Sequence, residues 1–246
     1  MRISIYLFIL LVVAISCNQK KRKLTFKGCG VVDDNQENKA IVLFDGKSLD
    51  AWRGYMLDSL PAEWSVDNGN ILFTPGKKSG KSRNSIITKQ KFSNFILSLE
   101  WKISEGGNSG IFWGVYEAIA LNEPFQSGPE VQVLDNKRHS DALVNPNFHQ
   151  AGALYDLVQP SQEVCRPAEE WNTCEIKVNH KTNYGSIKLN GVLIAEFPVH
   201  GEAWETMVAN SKFKKWKHFG IHRVGHIGLQ DHGDKVWYRN ISIKEL

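Results

Sequence analysis

The feature that most restricts the fold of this chain is a series of short segments in which apolar and polar residues alternate. In residues 95–103, Leu99, Trp101 and Ile103 fall on one side and polar residues on the other, the pattern of a strand with one buried face. Asn190-Gly191, between two such segments, is a strong signal for a two-residue hairpin turn. Helical periodicity is scarce, so the pattern predicts an all-β sandwich or barrel. The predicted strands are residues 71–73, 85–88, 95–103, 110–115, 130–134, 173–178, 186–189, 192–197, 225–230 and 236–243.

Composition agrees with a folded domain. The 246 residues are 42% hydrophobic and include 8 Trp and 12 Phe, which excludes a disordered chain or a coiled coil. The net charge of +4 is too small for the basic stripe of a nucleic-acid-binding protein, so no nucleic-acid partner is expected. We predict one β-sandwich domain over residues 40–246, with one short helix around residues 202–213 and a surface loop over residues 136–150.

The N-terminus has the features of an export signal. Arg2 precedes an apolar run over residues 5–15, roughly a dozen residues where a membrane-spanning helix needs about 20. The run ends in Ala-Ile-Ser-Cys17, which resembles a bacterial lipobox. We therefore predict a lipoprotein signal peptide over residues 1–16, lipidation of Cys17 and a polar basic tether over residues 17–39. The alternative is an ordinary signal peptide with an incidental cysteine. The lipoprotein prediction places the protein in the bacterial cell envelope, held on a membrane by its lipid anchor and facing the periplasm.

Cysteine spacing gives little further constraint. With Cys17 lipidated, Cys29, Cys165 and Cys174 allow at most one internal disulfide, and three pairings remain open. No C-x-x-C sequence is present, so a zinc site built from cysteines is not expected.

Alternation also indicates which polar side chains share a face. Glu130 and Gln132 fall opposite valines, and His226 and Gln230 fall opposite an apolar pair in their own segment. Glu100 lies on the polar side of residues 95–103. If these strands belong to one sheet, its outer face collects carboxylates, amides and an imidazole.

Aromatic residues lie close to these polar positions in the sequence. Trp113 and Tyr155 offer ring faces on which a sugar can stack, while amides and carboxylates can pair with its hydroxyl groups. The pattern therefore favours a carbohydrate site. The alternatives are a solvated sheet face and, for Trp113, packing in the core. Asn108-Ser109-Gly110 is expected to shape a tight turn.

Several longer motifs extend from about residue 40 to the C-terminus and resemble the 3-keto-disaccharide hydrolase family. That resemblance implies a concanavalin-like jelly-roll sandwich with a sugar site on one sheet, and an enzyme of the bacterial envelope. The motifs are LFDGKSLDAW (43–52), LEWKI (99–103), GNSGIF (107–112), GPEVQVLDN (128–136), AGALY (151–155), EWN (170–172) and GHIGLQDHG (225–233).

The reaction that this resemblance implies begins at a ketone on C3 of a glycosyl unit. The ketone acidifies the C2 proton, so a base can remove it and the glycosidic oxygen on C1 can leave. Water then adds to the unsaturated product. Such a route needs a base and an electrophile that stabilises the enolate oxygen, and a divalent metal ion held by carboxylate and imidazole is one candidate electrophile.

Candidate site residues follow from the motifs. Glu130 is the candidate base or metal ligand, with a salt-bridged sheet carboxylate as its alternative. His149 is a candidate proton shuttle, and His232 a second catalytic histidine and metal ligand. Asp231 is a candidate substrate ligand, or the residue that forms the turn before Gly233. The other candidate substrate-binding residues are Glu100, Trp113, Gln132, Tyr155 and Gln230. The alternative function is a non-catalytic, lectin-like lipoprotein that binds carbohydrate on the same face.

Overall fold

Two antiparallel β-sheets form the fold. The computed structural model describes residues 39–76 and 84–246, so the predicted signal peptide, Cys17, Cys29 and nearly all of the tether lie outside the described residues. In chain order the strands are β1 (Ile41–Phe44), β2 (Trp52–Gly54), β3 (Trp64–Asp67), β4 (Asn70–Phe73), β5 (Ile86–Phe92), β6 (Phe95–Ile103), β7 (Asn108–Val115), β8 (Glu130–Leu134), β9 (Asn172–Asn179), β10 (Tyr184–Leu189), β11 (Val192–Phe197), β12 (Gly225–Leu229) and β13 (Val236–Glu245).

The strands divide unequally between the sheets. The larger sheet has the order β11-β10-β9-β6-β13-β4-β3, with β1 also paired to β13, and the smaller has the order β2-β5-β12-β7-β8. One apolar core contains Trp101 of the larger sheet together with Ile111, Val131 and Ile227 of the smaller. The prediction of an all-β sandwich is therefore confirmed.

Most local predictions hold. Asn190 and Gly191 both have positive φ, 51° and 80°, and join β10 to β11 as a tight hairpin. Helix α2 (Gly201–Ala209) and a 3-10 helix (Lys212–Lys215) occupy the predicted helical region. The prediction of a single helix was incomplete, because the short helix α1 (Asp141–Val144) interrupts the predicted loop. Asn108-Ser109-Gly110 begins β7 and is not a turn, so that prediction was wrong.

The outer face of the smaller sheet is covered, and this decides where a site can form. All five residues of β8 are buried, whereas β6 in the larger sheet alternates between buried and partly exposed residues. The segment after α1 runs beside β8: the Tyr155 amide donates to the Glu130 carbonyl (2.9 Å), and the Gln132 amide donates to the Ala153 carbonyl (3.1 Å). This pairing brings the side chains of a loop next to Glu130.

The cysteines and the helices of the described residues give two further findings. Cys165 and Cys174 are both free thiols. None of the helices in residues 39–76 and 84–246 combines the length and the apolar character needed to cross a membrane.

Candidate active site

A cavity of about 290 Å³ opens on the outer face of the smaller sheet. Strands β7 and β8, the end of β12, the α1 region and the segment after α2 all contribute to it. Its lining combines carboxylates, amides, cationic groups and aromatic rings. The lining residues are Asn108, Phe125, Glu130, Gln132, Asp141, Tyr155, Lys212, Phe213, Trp216, Gln230 and His232.

The Glu130 carboxylate lies at the sheet side of this cavity. Gly110 on the neighbouring strand makes room for it, because a Cβ at residue 110 would overlap Glu130 Oε1 and lie 2.7 Å from Glu130 Cδ. Among the described residues, none donates a hydrogen bond to the Glu130 side chain. Burial raises the pKa of Glu130 to about 8, although the charges of His232 and Lys212 act in the opposite direction. A carboxyl group with such a pKa can exchange a proton near neutral pH.

Three buried amide side chains surround Glu130. Asn108, Gln132 and Gln230 are 2%, 1% and 7% exposed, and their side-chain oxygens have no hydrogen-bond donor within the described residues. A buried acceptor without a donor is rare in folded proteins and costs free energy. All three side chains line the cavity, so a ligand rich in hydroxyl groups would supply the missing donors.

Two cationic side chains face Glu130. His232 follows β12 and lies at the mouth of the cavity with 41% of its side chain exposed. Desolvation lowers its pKa, but Asp234, Glu130 and Asp141 together outweigh this effect, so the pKa of His232 is raised. The Lys212 ammonium lies 3.9 Å from the centre of the Tyr155 ring. Its pKa is lowered by desolvation, against the attraction of the surrounding carboxylates. Both groups interact electrostatically with the Glu130 carboxylate.

An acidic network forms a second side of the cavity. The Tyr155 hydroxyl donates to Asp141 Oδ2 (3.0 Å), and Asp141 Oδ1 lies 3.0 Å from His149 Nδ1. His149 Nε2 lies 3.2 Å from Asp156 Oδ1. Desolvation, with Asp141 next, raises the pKa of Tyr155 far above its ordinary value, so its phenol stays protonated. His149 itself lies behind this side and stacks on Tyr155 with ring centres 4.2 Å apart.

Aromatic rings form a further part of the cavity lining. Phe125 and Trp216 have ring centres 5.8 Å apart, and Phe213 packs against Trp216 at 5.1 Å. We call these three residues the aromatic wall. Phe125 and Trp216 are partly exposed and Phe213 is buried. Aromatic rings beside hydroxyl-binding groups are suited to the apolar face of a sugar or of its leaving group.

The structure brings together Glu130, Gln132, Tyr155, Gln230 and His232, as the sequence predicts. It does not bring Glu100 to this site: Glu100 lies in the larger sheet, where it accepts hydrogen bonds from Arg239 Nε (2.8 Å) and Asn240 Nδ2 (2.7 Å). The condition that these strands share one sheet holds for β8 and β12 but not for β6, because alternation identifies a face of a strand but not the sheet to which it belongs.

Trp113 and Asp231, which were also predicted to bind substrate, have structural contacts instead. Trp113 is 4% exposed and stacks on Phe197 (5.7 Å) within the core, so it takes its alternative role. Asp231 accepts hydrogen bonds from the Ser85 hydroxyl (2.9 Å) and the Asn84 amide (3.3 Å). It fixes the end of β12 next to the cavity and is not among the lining residues.

One group of side chains could hold a metal ion. Ligand atoms of His139, His232 and Asp234 all lie within 4.8 Å of one another. The group contains His232, as predicted, but Glu130 is not part of it. Two imidazoles and a carboxylate suit divalent transition metals such as Mn²⁺, Co²⁺ or Zn²⁺.

Sequence reasoning missed several lining residues. Asp141 and Lys212 follow no periodic pattern, and the aromatic wall comes from the 3-10 helix Pro124–Gln126, the 3-10 helix Lys212–Lys215 and the residue that follows the second. Asn108 stood in a recognised motif, and its position two residues before Gly110 on a strand puts both residues on one face. The others depend on how loops fold over the sheet, and nothing in their local sequence signals that.

Comparison with known proteins agrees with this architecture. A family model described as a 3-keto-alpha-glucoside-1,2-lyase-like domain matches residues 39–244. A 3-keto-disaccharide hydrolase from Bacteroides thetaiotaomicron is 38% identical over 229 residues, covering 84% of this chain and 78% of that protein. A provisionally named glycosyl hydrolase of solved structure from Parabacteroides distasonis is 28% identical, with a TM-score of 0.75 over 84% of this chain and 94% of that one. A galectin-like Bacillus subtilis protein of unknown function is 12% identical, with a TM-score of 0.51 over 85% of this chain and 98% of that one. It shares the fold alone.

Proposed function

This chain belongs to the 3-keto-alpha-glucoside-1,2-lyase-like family, and on that basis we propose that it cleaves 3-keto-glycosides by removing the C2 proton. The observation that carries the proposal is the buried Glu130 carboxylate, with a pKa raised to about 8, in a cavity that also contains two cationic side chains, three unpaired amide oxygens, Asp141 and Tyr155. Its B. thetaiotaomicron relative is named for a 3-keto-disaccharide substrate.

The proposed reaction has two stages. In the first, Glu130 takes the proton from C2, and the electron pair of the C–H bond is delocalised onto the C3 oxygen as an enolate. The pair then forms the C1–C2 double bond as the C1–O bond breaks, and the departing oxygen takes a proton. In the second stage, water adds its hydroxyl group to C1 and a proton returns to C2. The sum is hydrolysis, without the oxocarbenium-like transition state of ordinary glycosidases.

Glu130 suits the role of base because its burial favours the protonated form. A base whose pKa is near 8 takes a proton from carbon more readily than an ordinary glutamate would. Gly110 leaves room for the carboxylate, and no hydrogen-bond donor among the described residues reduces its basicity. Without a metal ion, His232 and Lys212 would supply positive charge for the enolate oxygen, and His232 would be the proton donor to the departing oxygen.

Substrate binding would use the amides and the aromatic wall. The oxygens of Asn108, Gln132 and Gln230 would accept hydrogen bonds from sugar hydroxyl groups, which removes the cost of their burial. The aromatic wall would cover the apolar face of one ring. Together these contacts would orient C2 toward Glu130.

We further propose a divalent metal ion at His139, His232 and Asp234 as cofactor. When bound, it would supply a Lewis acid that polarises the ketone oxygen, and His232 would then serve as its ligand. The donor set, two imidazoles and a carboxylate within 4.8 Å, supports this assignment. Treatment with a chelator should lower turnover and added Mn²⁺ should restore it. Full activity after chelation, with no metal detected in the purified protein, would assign the electrophilic role to His232 and Lys212.

The N-terminal sequence supports a location for this chemistry. We propose that Cys17 carries lipid and holds the domain on a membrane of the bacterial envelope, on the periplasmic side. Growth with an alkyne-labelled fatty acid should label the wild-type protein, and Cys17→Ser should abolish the label and release the protein from the membrane fraction. Equal labelling of both would refute the anchor.

The central experiment is turnover of a 3-keto-glucoside in D₂O. Loss of substrate with deuterium at C2 of the product is expected, and substrate deuterated at C2 should react more slowly. Glu130→Gln should abolish both the cleavage of the substrate and the incorporation of deuterium at C2. If the wild-type protein binds the sugar but neither cleaves it nor exchanges its C2 proton, the protein is a carbohydrate-binding module.

A further inference from the structure

Asp156 joins two parts of the cavity that lie far apart in the sequence. Its backbone has φ of +60°, a left-handed conformation that is uncommon for residues other than glycine, although aspartate and asparagine are tolerated. This conformation costs free energy. A residue kept there despite that cost is expected to use its side chain.

The Asp156 carboxylate is fully engaged. Oδ1 accepts from Asn145 Nδ2 (3.3 Å) and lies 3.2 Å from His149 Nε2, while Oδ2 accepts from the backbone amide of Lys212 (2.8 Å). Burial alone would raise the pKa of Asp156, but these hydrogen bonds, led by that of the Lys212 amide, lower it. The group is therefore an ionised anchor with two separate attachments.

One attachment leads to the acidic network. His149 Nε2 lies 3.2 Å from Asp156 Oδ1, and its Nδ1 faces Asp141, so the imidazole bridges the two carboxylates. The imidazole then holds Asp141 Oδ1 at 3.0 Å, and Asp141 Oδ2 receives the Tyr155 hydroxyl. Asp156 thus sets the position of Asp141 and Tyr155, which line the cavity, through His149.

The other attachment leads to the aromatic wall. The Lys212 amide that Asp156 binds is the first of the 3-10 helix Lys212–Lys215, which carries Phe213 and is followed directly by Trp216. The Lys212 side chain turns back over Tyr155, 3.9 Å from the ring centre. One carboxylate therefore connects both sides of the cavity.

We propose that Asp156 is a positioning residue that fixes the aromatic wall relative to the acidic network, and so sets the width of the substrate cavity. This inference rests on the proposed function, since the cavity is taken to be where the substrate reacts. Asp156 does not touch substrate. It acts through His149 on one side and the Lys212 amide on the other.

Substitutions at residue 156 separate the carboxylate from the backbone. Asp156→Gly removes both attachments but suits φ of +60°, so it should not lower the melting temperature appreciably. Its kcat/KM should fall about 10–100-fold, because misplacing catalytic groups by about 1 Å has effects of this size. Asp156→Asn keeps a side-chain oxygen that can accept from the Lys212 amide and places an amide group beside His149, so it should remain within about fivefold of wild type.

Glu169→Gly is the matched control. Glu169 also has positive φ, 67°, and its carboxylate contacts Lys102 (3.9 Å), a residue of the larger sheet. This variant should keep wild-type kcat/KM. Hydrogen exchange adds a readout that needs no substrate: the Lys212 amide should exchange about tenfold faster or more in Asp156→Gly, and not in Glu169→Gly.

The outcomes are distinct. Wild-type kcat/KM in Asp156→Gly, or equal losses in the Gly and Asn variants together with a lowered melting temperature, would overturn the positioning role. Absence of turnover in the wild-type protein would instead refute the proposed function. In that case exchange at Lys212 decides the inference, because unchanged exchange in Asp156→Gly would mean that Asp156 does not hold this segment.

Discussion

Gly110 and Glu130 stand on adjacent strands, and the missing side chain of the first is the space that the carboxylate of the second occupies. A Cβ at residue 110 would also lie 2.8 Å from Glu130 Cγ. The glycine is therefore required by close approach, at a position where its φ is not the constraint. The position of the candidate base, Glu130, therefore depends on the glycine at residue 110.

Gly110→Ala should displace the Glu130 carboxylate and lower kcat about 100-fold, with a loss of about 1–3 kcal/mol in the free energy of unfolding from overpacking. Steady-state kinetics and denaturant unfolding measure the two effects. Gly228→Ala is the control, because a Cβ there would meet Phe112, with 3.1 Å to the nearest atom, and not Glu130. A similar loss of kcat in both variants would contradict the specific role of Gly110.

Glu130→Gln should lower kcat about 10²–10⁴-fold. The same variant should be more stable than the wild-type protein at high pH. The folded state holds the Glu130 proton up to about pH 8, whereas the ordinary pKa is 4.5, so this group's contribution to stability is lost as pH rises between these values. At pH 8 the variant should be more stable than wild type by about 2–4 kcal/mol, and at pH 4.5 the two should be nearly equal. Thermal unfolding of both proteins between pH 4.5 and pH 8 tests this prediction. Glu205→Gln, at an exposed position, is the control. A stability difference that does not change with pH would contradict the raised pKa.

The pH dependence of kcat/KM should follow ionisation of Glu130 in the free enzyme. Because the base acts in its deprotonated form, kcat/KM should rise about tenfold per pH unit below the pKa of about 8 and level off above it. A rise centred near the ordinary glutamate pKa of 4.5 would show that another group, or a solvated Glu130, is the base.

Trp216→Ala should weaken substrate binding, because the side chain is part of the aromatic wall. We expect KM to rise about 5–10-fold, the effect of losing one aromatic contact, with kcat changed less than about threefold. Trp171→Ala provides a control: that ring contacts Arg239 and Lys102, residues of the larger sheet. An unchanged KM in Trp216→Ala would exclude a stacking role for this wall.

Glu100→Gln should leave kcat/KM within about twofold of wild type, because Glu100 lies in the sheet that does not carry the cavity. It should lower the free energy of unfolding by about 1 kcal/mol, since its contacts with Arg239 (2.7 Å to Nη2) and Asn240 are only partly buried. A large loss of activity without a change in stability would return Glu100 to the functional site.

Much of this architecture can be read from the sequence, and particular residues show why. Glu130 and Gln132 were placed on one face because a strand has a fixed period of two and their neighbours are valines. Strands β1, β2 and β3 were not predicted. They are only three or four residues long, so alternation has little room to appear, and the equally short β4 was predicted only from its apolar residues 71–73.

The parts that could not be predicted depend on tertiary contacts. Asp141 reaches the cavity because the segment after α1 pairs with β8, and Lys212 because Asp156 binds its amide. Neither contact produces a periodic pattern of residues in the sequence. Trp113 was misjudged for the opposite reason: an aromatic residue beside a polar face has the same local sequence whether it stacks on a ligand or fills the core.

The unpaired oxygens of Asn108, Gln132 and Gln230 have a consequence for selectivity. A site built from such acceptors binds a compound poorly when the compound lacks one of the expected hydroxyl groups. Each missing hydroxyl leaves one buried oxygen without a donor. Deoxy analogues should therefore be excluded more strongly than sugars carrying an extra substituent that points out of the cavity mouth. The enzyme would then tolerate many different leaving groups while remaining strict about the ring that reacts.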